Sequence, residues 1–219
     1  MPDFEKTPLN TVRRTAERGE YDRKSVYEIV DDALVCHVGF VVEGQPFVIP
    51  TIHARDGDNI LLHGAKASRM LKYLTTGGPV CITCTHLDAL VLARSVFHHS
   101  MNYRSAVIFG RGTIVDDHDE KMEGLRILTD HLMPGRWEDA RKPSAKEMNA
   151  TTLIRVAIES ASAKRREGPV GDDPEDYDLP IWAGLLPVQR TFSEPEGDDR
   201  LIPGVDVPEY VTNYHRVAK

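Results

Sequence analysis

The chain has 219 residues, of which 41% are apolar, and its formal net charge is −7. This length suits one domain, or a domain with an appended tail, and the apolar fraction suffices for a buried core. The acidic balance argues against a protein that binds nucleic acid through Lys and Arg, and against a polybasic membrane-surface protein.

The N-terminal segment and the cysteines indicate a cytoplasmic protein. Residues 1–6 are polar and of mixed charge, and no apolar stretch approaches the roughly 20 residues that a membrane-spanning helix needs. The three cysteines, Cys36, Cys81 and Cys84, do not make a disulfide framework. We therefore expect a cytoplasmic location and a reducing compartment, without a membrane segment.

The first third of the chain predicts an arm, a helix and three strands. Residues 1–22 lack a sustained apolar period, so they form either a loosely ordered terminus or a basic arm that lies on a partner subunit. Helical spacing of apolar residues predicts a helix over 23–32. Strand signals follow over 33–42, 46–54 and 60–63, and an Asp-Gly-Asp turn precedes the third strand.

The middle of the chain predicts a helix and three further strands. The helix spans 66–75 and ends at a Gly-Gly-Pro sequence. The strands are predicted over 80–86, 90–93 and 105–115. Two glycines inside the last strand suggest bulges at a barrel corner.

The last part of the chain predicts a helix, a strand and an extended tail. Two aspartates precede a helix of about 16 residues, and 153–160 alternates as a strand does. Residues 167–180 are acidic and contain three prolines, which indicates an exposed linker, and a short apolar segment follows at 181–188. The predicted organisation is an arm (1–22), a barrel (23–166), and an acidic linker with a C-terminal tail that packs on the barrel or on a dimer partner (167–219).

The predicted fold is mainly β, with about six strands, short turns and few helices. This pattern favours a small antiparallel β-barrel with peripheral helices. A barrel of this size fills its interior with side chains, so a large ligand would lie outside the barrel, against a partner.

Three stretches of the chain resemble a known family. They are QPFVIPTIHARDGDNILLHGAKASRMLKYL at 45–74, LARSVFHHSMNYRSAVIFGRG at 92–112 and IWAGLLP at 181–187. They are similar to the pyridoxamine 5'-phosphate oxidase-like FMN-binding split barrels. Within that family they are most similar to the flavin-nucleotide-binding branch that includes the nitroimidazole-resistance reductases.

The resemblance implies a six-stranded antiparallel split β-barrel that forms a homodimer, with two FMN sites at the subunit interface. The flavin ring would lie along one strand, at Val48, Ile49, Pro50 and Thr51. The phosphate would be held around the turn and helix at 63–69, and the second subunit would supply the rest of the pocket.

The side chains at that turn suit a phosphate. Lys66 offers a mobile charge, Ser68 a hydroxyl, and Arg69 a planar fork for two oxygens, at a predicted helix N-terminus. The alternative is an ordinary solvated helix start that Ser68 caps. His63 is a phosphate contact or a packed ring, and the resemblance adds a link to flavin reactivity.

Other cofactor contacts remain open between two roles. The resemblance places Arg104 and Ser105 near the flavin or its phosphate, whereas a structural ion pair with an aspartate is the alternative for Arg104. Trp182 either caps the flavin across the dimer or packs on the barrel. Pro50 cannot donate to a strand ladder, which indicates an edge strand that faces the ligand or solvent.

The cysteines and histidines bear on whether the chain has a metal or haem site. Cys81 and Cys84 do not predict a metal site, because residues three apart on a strand face opposite sides. Some split-barrel proteins bind haem, so His98, His99 or His63 is a candidate axial ligand, against the more common structural role of a lone histidine.

The resulting functional prediction is an FMN-dependent oxidoreductase. It would pass electrons from a reduced nicotinamide-type donor to a small, nitroaromatic-like acceptor, and the flavin itself would supply the electron chemistry, so no catalytic residue is predicted. A flavin protein for storage or sensing needs the same site and is the alternative, and a haem-binding or haem-degrading protein is a weaker one. The C-terminal Trp and Arg of the family's vitamin B6 oxidases have only a faint counterpart at Arg200, so a pyridoxamine-phosphate substrate is not expected.

Overall fold

The computed structural model describes residues 3–215. Its strands are β1 (Gly19–Glu20), β2 (Val35–Val42), β3 (Gln45–Ile52), β4 (Ala54–Asp56), β5 (Asn59–Ala65), β6 (Pro79–Leu92), β7 (Ser100–Ile114), β8 (Thr151–Ala157), β9 (Ser160–Arg166) and β10 (Gly184–Pro187). Its α-helices are α1 (Arg23–Asp32), α2 (Arg69–Leu74), α3 (His118–Leu132), α4 (Arg136–Asp139), α5 (Ala145–Ala150) and α6 (Glu209–Thr212). Short 3₁₀ turns lie at Ala16–Arg18, Val96–His98 and Pro174–Asp178.

The strands form an antiparallel split barrel with the helices at its periphery, as predicted. Neighbouring strands follow the order β3-β2-β6-β7-β8-β5-β4. Strand β9 pairs with β7 and β1, and β10 pairs with β6. The sheet has ten strands in the described part of the chain rather than the predicted six, because the N-terminal arm and the C-terminal tail each add a strand and the barrel itself contains more than were recognised.

Local patterns located some elements better than others. Helix α1 spans the predicted residues, and α3 agrees with the predicted long helix to within a residue or two. Helix α2 is shorter than predicted, since Lys66 and Ala67 lie in the turn before it. The two predicted strands at 80–93 are one continuous strand, β6, with a register shift between Leu87 and Ala89.

Strand β7 joins the two halves of the barrel. It pairs with β6 along most of its length, and on its other side it pairs first with β9 and then with β8. The exchange takes place around Gly110 and Gly112, and no register shift occurs there in the β6 ladder. A Cβ at Gly110 would collide with the carbonyl oxygen of Ala157, so this corner needs glycine for close approach and not for a bulge.

The main core fills the barrel and continues under α1. It includes the buried face of α1, at Val26, Ile29 and Val30, together with inward residues of β2, β5, β6 and β7. A smaller apolar cluster lies under α3 and includes Leu61, Leu128 and Leu153. Over residues 3–215, none of the helices has the length and apolar character needed to cross a membrane.

Candidate functional site

Strand β3 is at the edge of the sheet, and this position explains Pro50. The strand pairs with β2 and has no second neighbour among the described residues. Val48, 67% exposed, and Pro50 point outward, whereas Ile49 packs against the core and Thr51 is half-buried. A proline is tolerated here because an edge strand does not need every N–H for its ladder. The predicted ring-binding strand therefore offers a free edge.

An apolar groove of about 500 Å³ lies beside this strand. Its lining includes Val48, Phe40, Phe47, Tyr73 and Pro79. The Phe40 ring stacks on Phe47 with centroids 5.6 Å apart, and on Tyr73 at 5.1 Å. Stacked aromatic side chains give such a groove a rigid, flat wall.

Arg69 connects the groove to the predicted phosphate turn. Its guanidinium carbon lies 4.5 Å from the centre of the Phe47 ring, in a cation–π contact. Arg69 makes no ion pair with a carboxylate of residues 3–215, and its side chain is exposed. The planar face of the guanidinium is therefore used by Phe47, and the N–H groups at its edge stay available to an anion.

The turn before α2 carries Lys66, and Lys121 of α3 lies close enough to feel its charge although the two lysines are distant in the sequence. Lys121 of α3 donates to the carbonyl oxygens of Met148 and Thr151, at 2.7 and 2.5 Å. Burial lowers the pKa of Lys121, and the nearby charge of Lys66 lowers it further. The carboxylate of Asp116 acts on Lys121 in the opposite direction and raises its pKa.

His63 lies near the end of β5, before the turn, whereas Ser68 follows the turn and precedes α2. Ser68 caps α2, accepting from the Leu71 N–H at a long 3.5 Å, which is the structural alternative considered for it. The Nδ1 atom of His63 is buried and has no hydrogen-bond partner in the described structure. Burial lowers the pKa of His63, so a neutral ring with an unused polar atom borders the turn.

Arg104 has the ion pair that the sequence left as its alternative. Its guanidinium binds Asp88 through two nitrogen atoms and Asp32 through a third, with the shortest N–O distance at 2.9 Å. The hydrogen bond to Asp88 is the main cause that raises its pKa. The neighbouring Ser105 donates to the Lys164 carbonyl at 3.4 Å. Each of the three guanidinium nitrogen atoms of Arg104 thus donates to a carboxylate of this chain.

Trp182 lies just before β10 and is 69% exposed. Strand β10 pairs with β6, which attaches this part of the tail to the barrel. The indole ring itself is not part of either core cluster and approaches Gly184 of its own segment. Its two predicted roles, a cap on the flavin across the dimer and packing on the barrel, both stay predictions.

A second groove, of about 600 Å³, lies at the opposite end of β7. Its lining includes His99, Met101, Tyr103, Arg14 and Arg18. The adjacent histidines have different partners, because His99 Nδ1 lies 3.1 Å from the Ser95 carbonyl oxygen and His98 Nε2 lies 3.1 Å from Asp173 Oδ2. Ligand atoms of His98, Asp173 and Asp176 lie within 4.8 Å of one another.

The fold and the matched residues identify the family. Residues 22–165 match the family model described as pyridoxamine 5'-phosphate oxidase, and this range is more than half of the chain. The chain belongs to the pyridoxamine 5'-phosphate oxidase family. No curated protein matches it.

Solved structures show which proteins are similar to this chain and over how much of it. The flavocytochrome Anf3 from Azotobacter vinelandii is 39% identical, with a TM-score of 0.90, and the match covers 95% of this chain and 97% of that one. An FAD and haem binding protein from Mycobacterium smegmatis is 32% identical, with a TM-score of 0.84 and coverage of 89% and 95%. A 5-nitroimidazole antibiotic resistance protein from Bacteroides thetaiotaomicron shares the fold, at 24% identity, a TM-score of 0.57 and coverage of 67% and 85%.

Sequence reasoning did not find several residues of the two grooves and of the turn before α2. Lys121 approaches Lys66 only because α3 packs beside the turn. Phe47 has the pattern of an ordinary strand residue, so the sequence does not indicate its contact with Arg69. The groove at His99 is built from the arm, β7 and β9, which are far apart in the chain. Its local signals were the basic character of the arm and the histidine pair that includes His99.

Proposed function

We propose that this family member binds a flavin nucleotide, FMN or FAD, as a homodimer and acts as an oxidoreductase. The observation that carries the proposal is the free edge of β3 beside an apolar groove whose lining includes Phe47, the ring that the Arg69 guanidinium contacts. A flavin needs such a combination of a flat apolar wall for its ring and cations for its phosphate.

The residues of this chain fit separate parts of the flavin. Val48, Ile49, Pro50 and Thr51 would present the β3 edge to the ring. Lys66, Ser68 and Arg69, with Lys121 added by the structure, would hold the phosphate. The neutral ring of His63, with its buried Nδ1, would accept or donate one hydrogen bond near the phosphate end.

The remaining sequence predictions about cofactor contacts have unequal support. Arg104 is occupied by Asp88 and Asp32, so we assign it the role of fixing the start of β7. Ser105 stays a predicted contact, as does Trp182, whose exposed ring is available to a partner subunit. The partner would complete each flavin site, as the family resemblance implies.

The flavin would supply the hydride and electron chemistry when bound, and the protein would supply orientation and exclusion of water. Both FMN and FAD remain candidates, since one similar protein is described as binding FAD. The electron donor is proposed to be a reduced nicotinamide and the acceptor a small oxidised molecule.

The visible spectrum tests flavin binding directly. The purified protein is mixed with FMN or FAD in separate samples, desalted and scanned. Flavin absorption bands that survive desalting are expected, and the nucleotide that is retained identifies the cofactor. A colourless protein after both treatments would overturn the proposal.

Turnover distinguishes an oxidoreductase from a storage or sensing protein. The flavin-loaded protein is mixed anaerobically with NADH or NADPH, and bleaching of the flavin band is followed before and after a nitroaromatic acceptor is added. Reduction and reoxidation in seconds are expected for the enzyme. A flavin that stays oxidised with both nucleotides would favour the non-catalytic alternative.

A second proposed function is haem binding in addition to flavin binding. It is favoured by the extent of the first two structural matches reported above. The first match covers 95% of the chain, so it must include most of the residues after Arg165, where the family match ends. Those two similar proteins are described as a flavocytochrome and as an FAD and haem binding protein. Addition of hemin is expected to produce a Soret band that survives gel filtration, and its absence would overturn this second proposal.

A further inference from the structure

The groove at the start of β7 joins an apolar floor to a basic rim. Leu90, Met101 and Tyr103 supply apolar and aromatic surface, and Arg14 and Arg18 of the N-terminal arm supply the charges. Its volume of about 600 Å³ lies within the range of cofactor sites in proteins.

The positive charge of this rim has no carboxylate partner in the part of the chain that the structure describes. Arg14 and Arg18 make no ion pair with any carboxylate of residues 3–215, whereas arginines elsewhere, such as Arg55 and Arg94, have aspartate partners. Burial lowers the pKa of the neighbouring Arg166, and the charge of Arg18 lowers it further. In a protein with a net charge of −7, cations that face one another without an acid indicate a site for an anion.

His99 faces the same groove with one ring nitrogen already fixed. Its Nδ1 donates to the Ser95 carbonyl oxygen at 3.1 Å, which leaves Nε2 as the nitrogen with the lone pair. A backbone carbonyl on the far nitrogen is the usual arrangement for a histidine that binds a metal ion. The adjacent His98 differs, because its Nε2 is engaged by Asp173.

The groove is separate from the phosphate turn of the same chain. His99 and Tyr103 lie at the start of β7. The turn with Lys66 lies near the other end of β7, because that end pairs with β8 and β8 pairs with β5, the strand that precedes the turn. Ten residues of strand correspond to about 30 Å, which is too far for one phosphate group to contact both sets of cations.

We propose that this groove is the haem site, with His99 Nε2 as an axial ligand of the iron and Arg14 and Arg18 as partners of the propionates. The assignment rests on the haem binding proposed above. It matches each part of the ligand to a part of the groove: the apolar floor to the porphyrin faces, the imidazole to the iron, and the basic rim to the two carboxylates.

The first experiment compares His99→Ala with the matched control His98→Ala in the full-length protein. Each protein is purified with its flavin, titrated with hemin and examined by absorption and electron paramagnetic resonance spectroscopy. His99→Ala is expected to lose the parental Soret position and ferric signal, and added imidazole is expected to restore them. His98→Ala is expected to keep both, and the flavin bands of both variants report that the fold is intact.

The outcomes separate this assignment from the functions on which it rests. An unchanged haem spectrum in His99→Ala, or loss of the spectrum in His98→Ala, would overturn the ligand assignment while haem binding itself stands. A parent protein that retains flavin but gives no Soret band would overturn haem binding, and the assignment with it.

The basic rim has its own test. The double variant Arg14→Gln with Arg18→Gln is expected to bind hemin at least tenfold more weakly than the parent, since two charge-assisted contacts are removed. Arg13→Gln is the control, because Arg13 lies in the same arm but does not line the groove. Equal hemin affinity in all three proteins would overturn the propionate assignment.

Discussion

Arg104 illustrates how a single residue acquires its role from residues far away in the chain. A buried guanidinium requires anionic partners, which the sequence alone could only describe as a flavin phosphate or an aspartate. The structure supplies Asp32 from the end of α1 and Asp88 from β6. Lys66 and Arg69 have no such partners among residues 3–215, which is why they remain the strongest candidates for the phosphate.

Removal of both candidate cations is expected to weaken flavin binding. The double variant Lys66→Ala with Arg69→Ala should lower flavin affinity at least tenfold, because each charge-assisted hydrogen bond contributes roughly 1.5–3 kcal/mol. The measurement is a fluorescence titration with FMN and FAD. Lys72→Ala is the control, since Lys72 is exposed on the same helix α2. Unchanged affinity in a folded double variant would contradict the phosphate assignment.

His98 is expected to titrate above the ordinary range of a histidine. Its hydrogen bond to Asp173 raises the pKa of the ring from 6.5, since the protonated ring donates to the carboxylate. The contact is therefore fully formed below pH 6.5 and is lost as the pH rises through the raised pKa.

An NMR titration of the histidine ring protons checks this shift. Asp173→Asn is expected to return the pKa of His98 toward 6.5, because the amide carries no charge. The same pKa for His98 in both proteins would refute the proposed ion pair.

At the scale of elements, α1 shows how a local signal and tertiary contacts cooperate. Asp22 caps its first turn by accepting from the Ser25 N–H at 2.8 Å, which satisfies one of the unpaired donors there. Two carbonyl oxygens in the last turn of α1, and the carbonyl oxygen of the residue after the helix, form hydrogen bonds with three histidine side chains. The pairs are His86 with Ile29, His53 with Val30, and His131 with Ala33. The helix end is thus fixed by β6, by the β3–β4 junction and by α3.

The corner of β7 depends on a glycine for the same kind of reason. Gly110→Ala is expected to lower the free energy of unfolding by about 3 kcal/mol or more, because the new methyl group meets the Ala157 carbonyl and backbone must shift. Gly171→Ala is the control, as no heavy atom lies within 4 Å of its Cβ position. Chemical denaturation of both variants measures the difference. Similar stability for the two would contradict the close approach at the corner.

At the scale of the whole molecule, the exposed apolar residues offer a surface that the proposed second subunit would cover. Val48 on the free edge of β3 is 67% exposed, and Val96 and Phe97 before β7 are each 86% exposed. Leu186 on β10 is 55% exposed. Monomeric proteins seldom expose so many large apolar side chains together with a free strand edge. The predicted organisation into an arm, a barrel and a tail that lies on a partner is compatible with these surfaces and stays a prediction.

The protein is therefore expected to be a homodimer in solution. Light scattering after gel filtration should give twice the chain mass of 24.5 kDa, with or without flavin. A Val48→Glu substitution on the β3 edge is expected to shift the protein toward monomer and to weaken flavin binding in parallel, if the site lies at the interface. Thr113→Glu is the control for added charge, because Thr113 is exposed on the part of β7 that pairs with β8. A monomeric parent with full flavin occupancy would contradict the interface site.

Much of the fold was determined by the sequence itself. The helical period and Asp22 defined α1, alternation and turn residues defined β2 and β3, and Pro50 indicated the edge strand. These features depend on residues within a few positions of each other, so their causes are visible in the chain. The same holds for the phosphate turn, where Lys66, Ser68 and Arg69 are neighbours in the sequence.

Only the tertiary structure decided which distant groups meet. The aspartates that bind Arg104, the approach of Lys121 to Lys66 and the union of β6 into one strand all depend on packing between separate elements. So does the groove that unites the arm with His99. Burial and charge compensation act through space, and a pattern along the chain does not contain the distances on which they depend.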